Sequence, residues 1–231
     1  GIYAEKDWPD PEKGFAAMIT RMDADVGRLM KLLKELGIDE KTLVVFTSDN
    51  GPHNEGKHSH EFFNSNGDLT GYKRSMHEGG IRVPMIVRMP DGTGAASGAA
   101  AATTSGVVRD QIVSLLDIYP TILDMAGAPV PAERPGQAHN WPYDTVHHPD
   151  GQSLMPLIRD ENVPWGDIAV SSFHGLLDNN AVMRTMRCGK YKFGYTFLGP
   201  DMLFDLEQDP YELHNLADDP NHADTVTMML Q

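Results

Sequence analysis

The residues best able to do chemistry are gathered in FTSDNGPHNEGKHSHEFF, residues 46–63. Asp49 and Asn50 stand side by side after the apolar run Leu43-Val44-Val45-Phe46, and Gly51 follows them. A carboxylate and an amide carbonyl are hard oxygen ligands of the kind that hold Ca²⁺ or Mg²⁺. Consecutive side chains of a strand point to opposite faces, so the two could share an ion only beyond the strand's end. Gly51 permits the sharp turn this needs. Two oxygens fall short of the about six to eight that Ca²⁺ takes, so other ligands must come from elsewhere. Asp-Asn-Gly is also a common turn, and on these residues alone that alternative stays open.

The same stretch carries His53, Glu55, His58 and His60. Their spacing matches no strong zinc signature, and histidines in a polar loop are more often solvated or substrate-facing. Downstream, GYKRSMHEGGIRVP (71–84) concentrates Lys73, Arg74 and Arg82 around the flexible step Gly79-Gly80. A lysine beside a divalent cation can clamp a tetrahedral oxyanion such as sulfate or phosphate. Ordinary basic residues of a surface loop are the competing explanation.

These residues need elements to hold them. Phe15, Met18, Ile19, Met22, Val26, Leu29, Leu33 and Leu36 recur every three or four positions, which predicts an amphipathic helix over 11–36 capped by Gly37. TLVVFTS (42–48) has the composition of a strand buried on both faces in a parallel or mixed sheet. IRVPMIVRM (81–89) predicts a second strand, with Pro84 at its start or at an edge. In open α/β sheets ligands bind beyond the carboxyl ends of strands, where Asp49 and Asn50 fall.

Farther along, GTGAASGAAAATTSG (92–106) reads as a surface loop. QIVSLLDIYPTILDMAG (111–127) predicts a short strand and then a helix, with Asp117 as N-cap and Gly127 as terminator. Residues 128–150 form a Pro-rich connection, and DGQSLMPLI (150–158) closes the first domain. In KYKFGYTF (190–197), Tyr191, Phe193, Tyr195 and Phe197 alternate with smaller or charged residues, as in an antiparallel strand with one wet face. Asp209-Pro210-Tyr211-Glu212 has the order of a capped helical turn, and a further helix opens at Asp219-Pro220.

Composition removes some functions. With 19 Lys plus Arg against 33 Asp plus Glu, the formal net charge of the 231 residues is −14. Non-specific nucleic-acid binding needs a basic footprint and is not expected. Any anionic substrate must be held by a local basic pocket against the field of the whole molecule. No run approaches the roughly 18 apolar residues of a membrane span. The first residues, GIYAEKDWPDPEKG, lack the pattern of a signal peptide and begin without Met, which suggests a fragment or a processed product. The single cysteine, Cys188, forms no intrachain disulfide and leaves the compartment undecided.

Five stretches occur in one order: FTSDNGPH, FFNSNGDLTGYKRSMHEGGIRVP, LLDIYPTILDMAG, DGQSLMPLI and LFDLEQDPYELHNLADDP. In this order they resemble the later part of a type I sulfatase of the arylsulfatase kind. The resemblance runs over nearly the whole chain and implies a partial alkaline-phosphatase-like mixed α/β sheet over residues 1–158. A small C-terminal antiparallel sheet with a terminal helix follows over 159–231. It implies a sulfuric ester hydrolase in which Asp49 and Asn50 complete a Ca²⁺ site, with Mg²⁺ as the other candidate. Lys73, five residues before Glu78-Gly79-Gly80, would contact the sulfate. His53 and His58 lie in the loop that faces substrate in the family.

The family's nucleophile is a formylglycine made from a Cys/Ser-x-Pro-x-Arg signature, which this chain lacks. Cys188, in Cys-Gly-Lys-Tyr-Lys, has neither the Pro nor the Arg. The early Asp-Asp metal pair and the leaving-group histidine are absent as well, so the chain alone should be inactive. Expected partners are a sulfated small molecule or a sulfated glycan, with no nucleic acid and no membrane, and family habit implies a periplasmic or extracellular location. Two other readings stay open: a phosphoesterase or phosphonate hydrolase of the same superfamily, and a non-catalytic remnant that binds sulfated glycans.

Overall fold

The computed structural model describes residues 1–90, 106–129, 150–159, 162–174, 182–196 and 199–230. Its helices and strands, in chain order, are α1 (Asp10–Glu35), β1 (Val44–Thr47), α2 (Glu78–Ile81), β2 (Met85–Arg88), α3 (Ile118–Ala126), α4 (Met155–Arg159), β3 (Ile168–His174), β4 (Val182–Cys188), β5 (Tyr191–Thr196), β6 (Met202–Asp205) and α5 (Ala223–Met229). They fall into two compact units, Gly1–Asp91 with Val170–Gln231 and Gly92–Ala169. The boundary expected at 158/159 lies inside the second unit. The segment 92–105, most of the connection 128–150, and Phe197 lie outside the described residues. No helix among the described residues is long and apolar enough to cross a membrane.

In the first unit α1 begins where predicted, with Asp10, Pro11 and Glu12 in its first turn, as the helix dipole and proline's fixed φ favour. Gly37 ends it at φ +67°, and the Gly37 and Ile38 amides return to Lys34 O and Leu33 O at 3.0 and 3.1 Å. Its stripe differs from the expectation. Met18, Met22, Leu29 and Leu36 are exposed, and the buried residue of the helix is Glu12. The described residues leave most of the apolar face open.

β1 and β2 pair antiparallel, Val44 opposite Arg88 and Thr47 opposite Met85. Pro84 precedes the second strand, as its missing N–H requires, but Ile81 ends α2 instead of starting the strand. The burial expected of β1 is corrected too. Among the described residues it pairs with β2 alone, and Phe46 and Ile86 are exposed.

The larger sheet has the order β3-β4-β5-β6, with β4, β5 and β6 antiparallel. Phe193, Leu203 and Met229 form its core, with Met186, Leu216 and Val226 packed on them, so α5 lies against this face. Burying a side chain such as Leu203 contributes about 1.5–3 kcal/mol. Asn215 binds the Leu203 and Ala217 amides through its Oδ1 and Asp201 O through its Nδ2, which ties 215–217 alongside β6. The wet face expected of β5 is not wet at its centre, because Lys192 is buried with Phe193 and Gly194. Asp209-Pro210-Tyr211-Glu212 is a turn and not a helix, with Glu212 at φ +57°. Asp219 does cap the last helical segment, accepting the Asn221 N–H at 2.9 Å.

In the second unit Ser114, and not Asp117, is the cap. The Ser114 hydroxyl accepts the Leu116 N–H, and Asp117 Oδ2 accepts the Ser114 N–H at 2.7 Å, a capping box on the short 3₁₀ turn Leu115–Asp117. Residues 111–114 form no strand. Asp117 is buried, and its Oδ1 accepts the Gln152 N–H at 2.8 Å, so it ties the α3 start to the α4 approach. Gly127 ends α3 at φ +63°, as predicted.

Candidate active site

The strand β1 delivers Asp49 and Asn50 to a bend just past its end. Ser48 Oγ donates to Asn50 O at 2.9 Å, and Asn50 Nδ2 donates to Gly51 O at 2.8 Å. The amide nitrogen is therefore engaged by the bend, and the Asn50 side-chain carbonyl is left as the acceptor. Asp49 is exposed, and its carboxylate takes no hydrogen bond from any described residue. One unpartnered carboxylate beside one amide carbonyl suits a hard divalent cation. Among the described residues no group of three or more His, Cys, Asp or Glu converges on a point. The pair alone would offer two oxygens, short of the about six to eight that Ca²⁺ takes.

Glycines bring Lys73 to this bend. Gly51 N–H donates to Gly80 O at 2.9 Å, and a Cβ on Gly51 would overlap the carbonyl of Gly79. A Cβ on Gly79 would overlap Gly71 O, and one on Gly80 would overlap Ser75 O. Three backbone segments touch at distances only glycine allows. The Lys73 N–H then donates to Pro52 O at 2.8 Å, two residues from Asn50.

Lys73 Nζ lies 3.3 Å from Glu55 Oε1, and Arg74 Nη2 lies 2.7 Å from the same oxygen. The hydrogen bond from Lys73, then its charge and that of Arg74, hold the Glu55 carboxyl below the ordinary range. Arg82 sits 3.9 Å from Glu78, so the basic cluster read from 71–84 is largely matched by acids.

The two histidines meet edge to face, with ring centroids 5.4 Å apart, but differ in burial and partners. His53 is half-buried, and its Nδ1 accepts the Glu55 N–H at 3.0 Å, which makes the neutral ring an Nε2–H tautomer. His58, expected to face substrate, is buried with 3% of its side chain exposed. It stacks on Phe15 at 3.8 Å, and its Nδ1 lies 2.5 Å from Glu12 Oε2. Glu12 Oε1 also accepts the Ser59 N–H at 2.9 Å. Burial alone would raise the Glu12 carboxyl, but the Ser59 amide and the His58 ring outweigh it and hold it below its usual value. Through Glu12, α1 fixes the far end of the loop that carries His53 and Glu55. Glu12 was missed in the sequence, although its place three residues before Phe15 puts it on the apolar stripe.

The end of the 70–78 loop is held from the C-terminal sheet. Glu78 contacts Lys192 Nζ at 2.9 Å and Arg187 Nη1 at 3.5 Å, and its N–H donates to Glu212 Oε2 at 2.5 Å. Lys192 Nζ also lies 2.7 Å from Glu212 Oε1. None of these partnerships could be read from spacing in the sequence.

Comparison with known proteins bears on this arrangement. The sulfatase family model matches residues 12–128. Arylsulfatase K of Bos taurus is 31% identical over 220 residues, covering 94% of this chain and 35% of that protein. Steryl-sulfatase of Mus musculus is 37% identical over 145 residues, covering 62% of this chain and 20% of the relative. The structure of BT4656 in complex with its substrate D-glucosamine-2-N,6-O-disulfate superposes with a TM-score of 0.68 at 23% identity. It is covered over 37% of its length by 92% of this chain. The phosphonate monoester hydrolase of Agrobacterium radiobacter has a TM-score of 0.62 at 24% identity, over 91% of this chain and 38% of that one. At these identities the two structures show a shared fold, the alkaline-phosphatase-like mixed α/β architecture. The chain spans about a third of the length of the arylsulfatases K it matches.

Proposed function

Because this chain belongs to the sulfatase family, we propose that it carries the cation-completing and oxyanion-holding part of a sulfuric ester hydrolase. The observation that carries the reading is the 2.8 Å bond from the Lys73 N–H to Pro52 O, which binds the lysine's loop to the Asp49-Asn50 bend. In this reading Asp49 and the Asn50 carbonyl hold Ca²⁺ or Mg²⁺ together with residues outside the described set. Such a cation would supply fixed positive charge to the oxygens of the ester. Lys73 neutralises charge on the sulfuryl oxygens as the S–O bond breaks. Glu55 pairs with the Lys73 ammonium until the anion displaces it, and the Nε2–H of His53 is a further donor for the substrate. The nucleophile, a formylglycine in this proposal, is contributed from outside these residues. The substrate is a sulfated small molecule or a sulfated glycan. The sulfated glucosamine bound by BT4656 supports the glycan choice by analogy of fold.

The test is an aryl sulfate assay on the complete polypeptide that carries these residues, with Ca²⁺ titrated by calorimetry in parallel. Lys73→Ala should lower kcat/KM by about 10²–10³. Asp49→Ala should abolish the calorimetric Ca²⁺ signal and the activity together. Unchanged Ca²⁺ binding in Asp49→Ala removes the cation assignment. Faster turnover of a phosphonate ester than of the sulfate ester moves the reaction to phosphorus.

A further inference from the structure

The loop 70–78, which carries Lys73, is gripped at both ends by two successive residues of the Asp-Pro-Tyr-Glu turn. At its start, Thr70 Oγ1 donates to Tyr211 O at 2.5 Å. At its end, the Glu78 N–H donates to Glu212 Oε2 at 2.5 Å, and Lys192 Nζ spans the Glu78 and Glu212 carboxylates at 2.9 and 2.7 Å. Within the loop, the Gly79 N–H donates to Thr70 O at 2.8 Å and closes its neck. We infer that Glu212 and Lys192 are positioning residues for Lys73, acting through this neck. The inference rests on the role proposed above for Lys73.

Two features argue for more than a packed joint between the sheet and the loop. Glu212 is held at φ +57°, in the left-handed region that non-glycine residues rarely adopt. Its side chain is fully buried and that of Lys192 is 3% exposed, so a charged cluster sits where apolar residues of like volume would be no less stable. Opening this cluster would leave an uncompensated buried charge, which is strongly disfavoured. Such a joint sets the path of the loop backbone more narrowly than apolar packing, which tolerates repacking. Lys73 hangs from that backbone with its own N–H bonded to Pro52 O, so a shift of the neck reaches the ammonium and the Asp49-Asn50 bend together.

The test uses the complete polypeptide and two variants. Glu212→Gln keeps an acceptor for the Glu78 N–H and removes the charge. Thr70→Val removes only the bond to Tyr211 and is the safer variant for folding. Amide hydrogen exchange should quicken by about tenfold or more at Lys73 and Gly79 in both, while the Leu216 amide, bonded to Leu203 O in the sheet, keeps its protection. The kcat/KM for an aryl sulfate should fall by about 10- to 100-fold, the cost of misplacing a reacting group by around an ångström. Combined with Lys73→Ala, either variant should cost nothing further, because its effect runs through the lysine. Equal cost with and without Lys73, loss of protection at Leu216 as well, or no change at Lys73 and Gly79 would each overturn the inference. A polypeptide that hydrolyses no sulfate ester, yet loosens at Lys73 and Gly79 alone, would overturn the functional reading and leave the clamp standing.

Discussion

Two groupings of carboxylate and ammonium lie in the same compact unit, one at the surface and one in the interior. Glu55 meets Lys73 and Arg74 at 3.3 and 2.7 Å, with 43%, 32% and 60% of their side chains exposed. Glu78 and Glu212 meet Lys192 at 2.9 and 2.7 Å, with 5%, 0% and 3% exposed. The distances are alike and the solvent is not. At the surface, water replaces either partner when the pair opens, so the pair is weak and exchangeable. In the interior nothing replaces them, so the cluster stays closed or drags the backbone with it. The lysine proposed to meet substrate hangs on the exchangeable pair, and the backbone that aims it hangs on the fixed one.

The largest expected effect tests the interior cluster. Lys192→Met fills the same volume but leaves two carboxylates buried. Arg187 at 3.5 Å and Arg82 at 3.9 Å still offset Glu78, whereas among the described residues Glu212 keeps only the Glu78 N–H. Removing one partner of a buried pair costs about 3–5 kcal/mol, and urea denaturation should show a loss of that size. A loss below about 1 kcal/mol would put the interior cluster on a par with the surface pair and end the contrast.

An intermediate effect is expected where the loops touch. Gly51→Ala places a methyl group on the Gly79 carbonyl, and both are backbone, so neither can swing aside. Overpacking of this kind costs about 1–3 kcal/mol. The exchange protection of the Lys73 and Gly80 amides should drop, while the Phe193–Leu203–Met229 core keeps its own. Protection lost evenly across the unit would mean that the bend and the sheet unfold as one body.

Much of this was legible in the sequence, wherever a local rule fixes the outcome. Gly37 and Gly127 end their helices because the left-handed conformation there suits glycine, and both were read correctly. The alternation in KYKFGYTF gave β5 and its antiparallel neighbours. Alternation fixes which side chains share a face and not what lies over that face, so Lys192 was read as wet and is buried under Glu78 and Glu212. Asp-Pro-Tyr-Glu has the residues of a helix start, yet Glu212 is drawn inward by a lysine from another strand. The Asp49-Asn50 bend was anticipated from hard-ligand chemistry and from Gly51, whereas Glu55 and Glu12 bind partners set by tertiary contact. Most of the apolar stripe of α1, and Phe46 of β1, read as buried and are exposed, since pattern reports how much cover a face needs and not whether these residues provide it.

The smallest effect concerns the surface pair, and it is where stability and binding should part. Glu55→Gln removes a charge that water already screens, so the urea midpoint should stay within error of the wild type. Affinity for inorganic sulfate should instead rise a few-fold, because the anion no longer competes with Glu55 for Lys73, and the gain should fade as salt is raised. Lys73 holds the Glu55 carboxyl below its usual range of about 4.5 while it is bound there. As pH falls through that depressed value the carboxyl takes up a proton and releases the lysine, so wild-type affinity should climb on the acid side. Glu55→Gln has no proton to take up there and should stay flat. Weaker sulfate binding in the variant would mean that Glu55 steers Lys73 toward the anion instead of competing with it, and the surface pair would then be a second clamp.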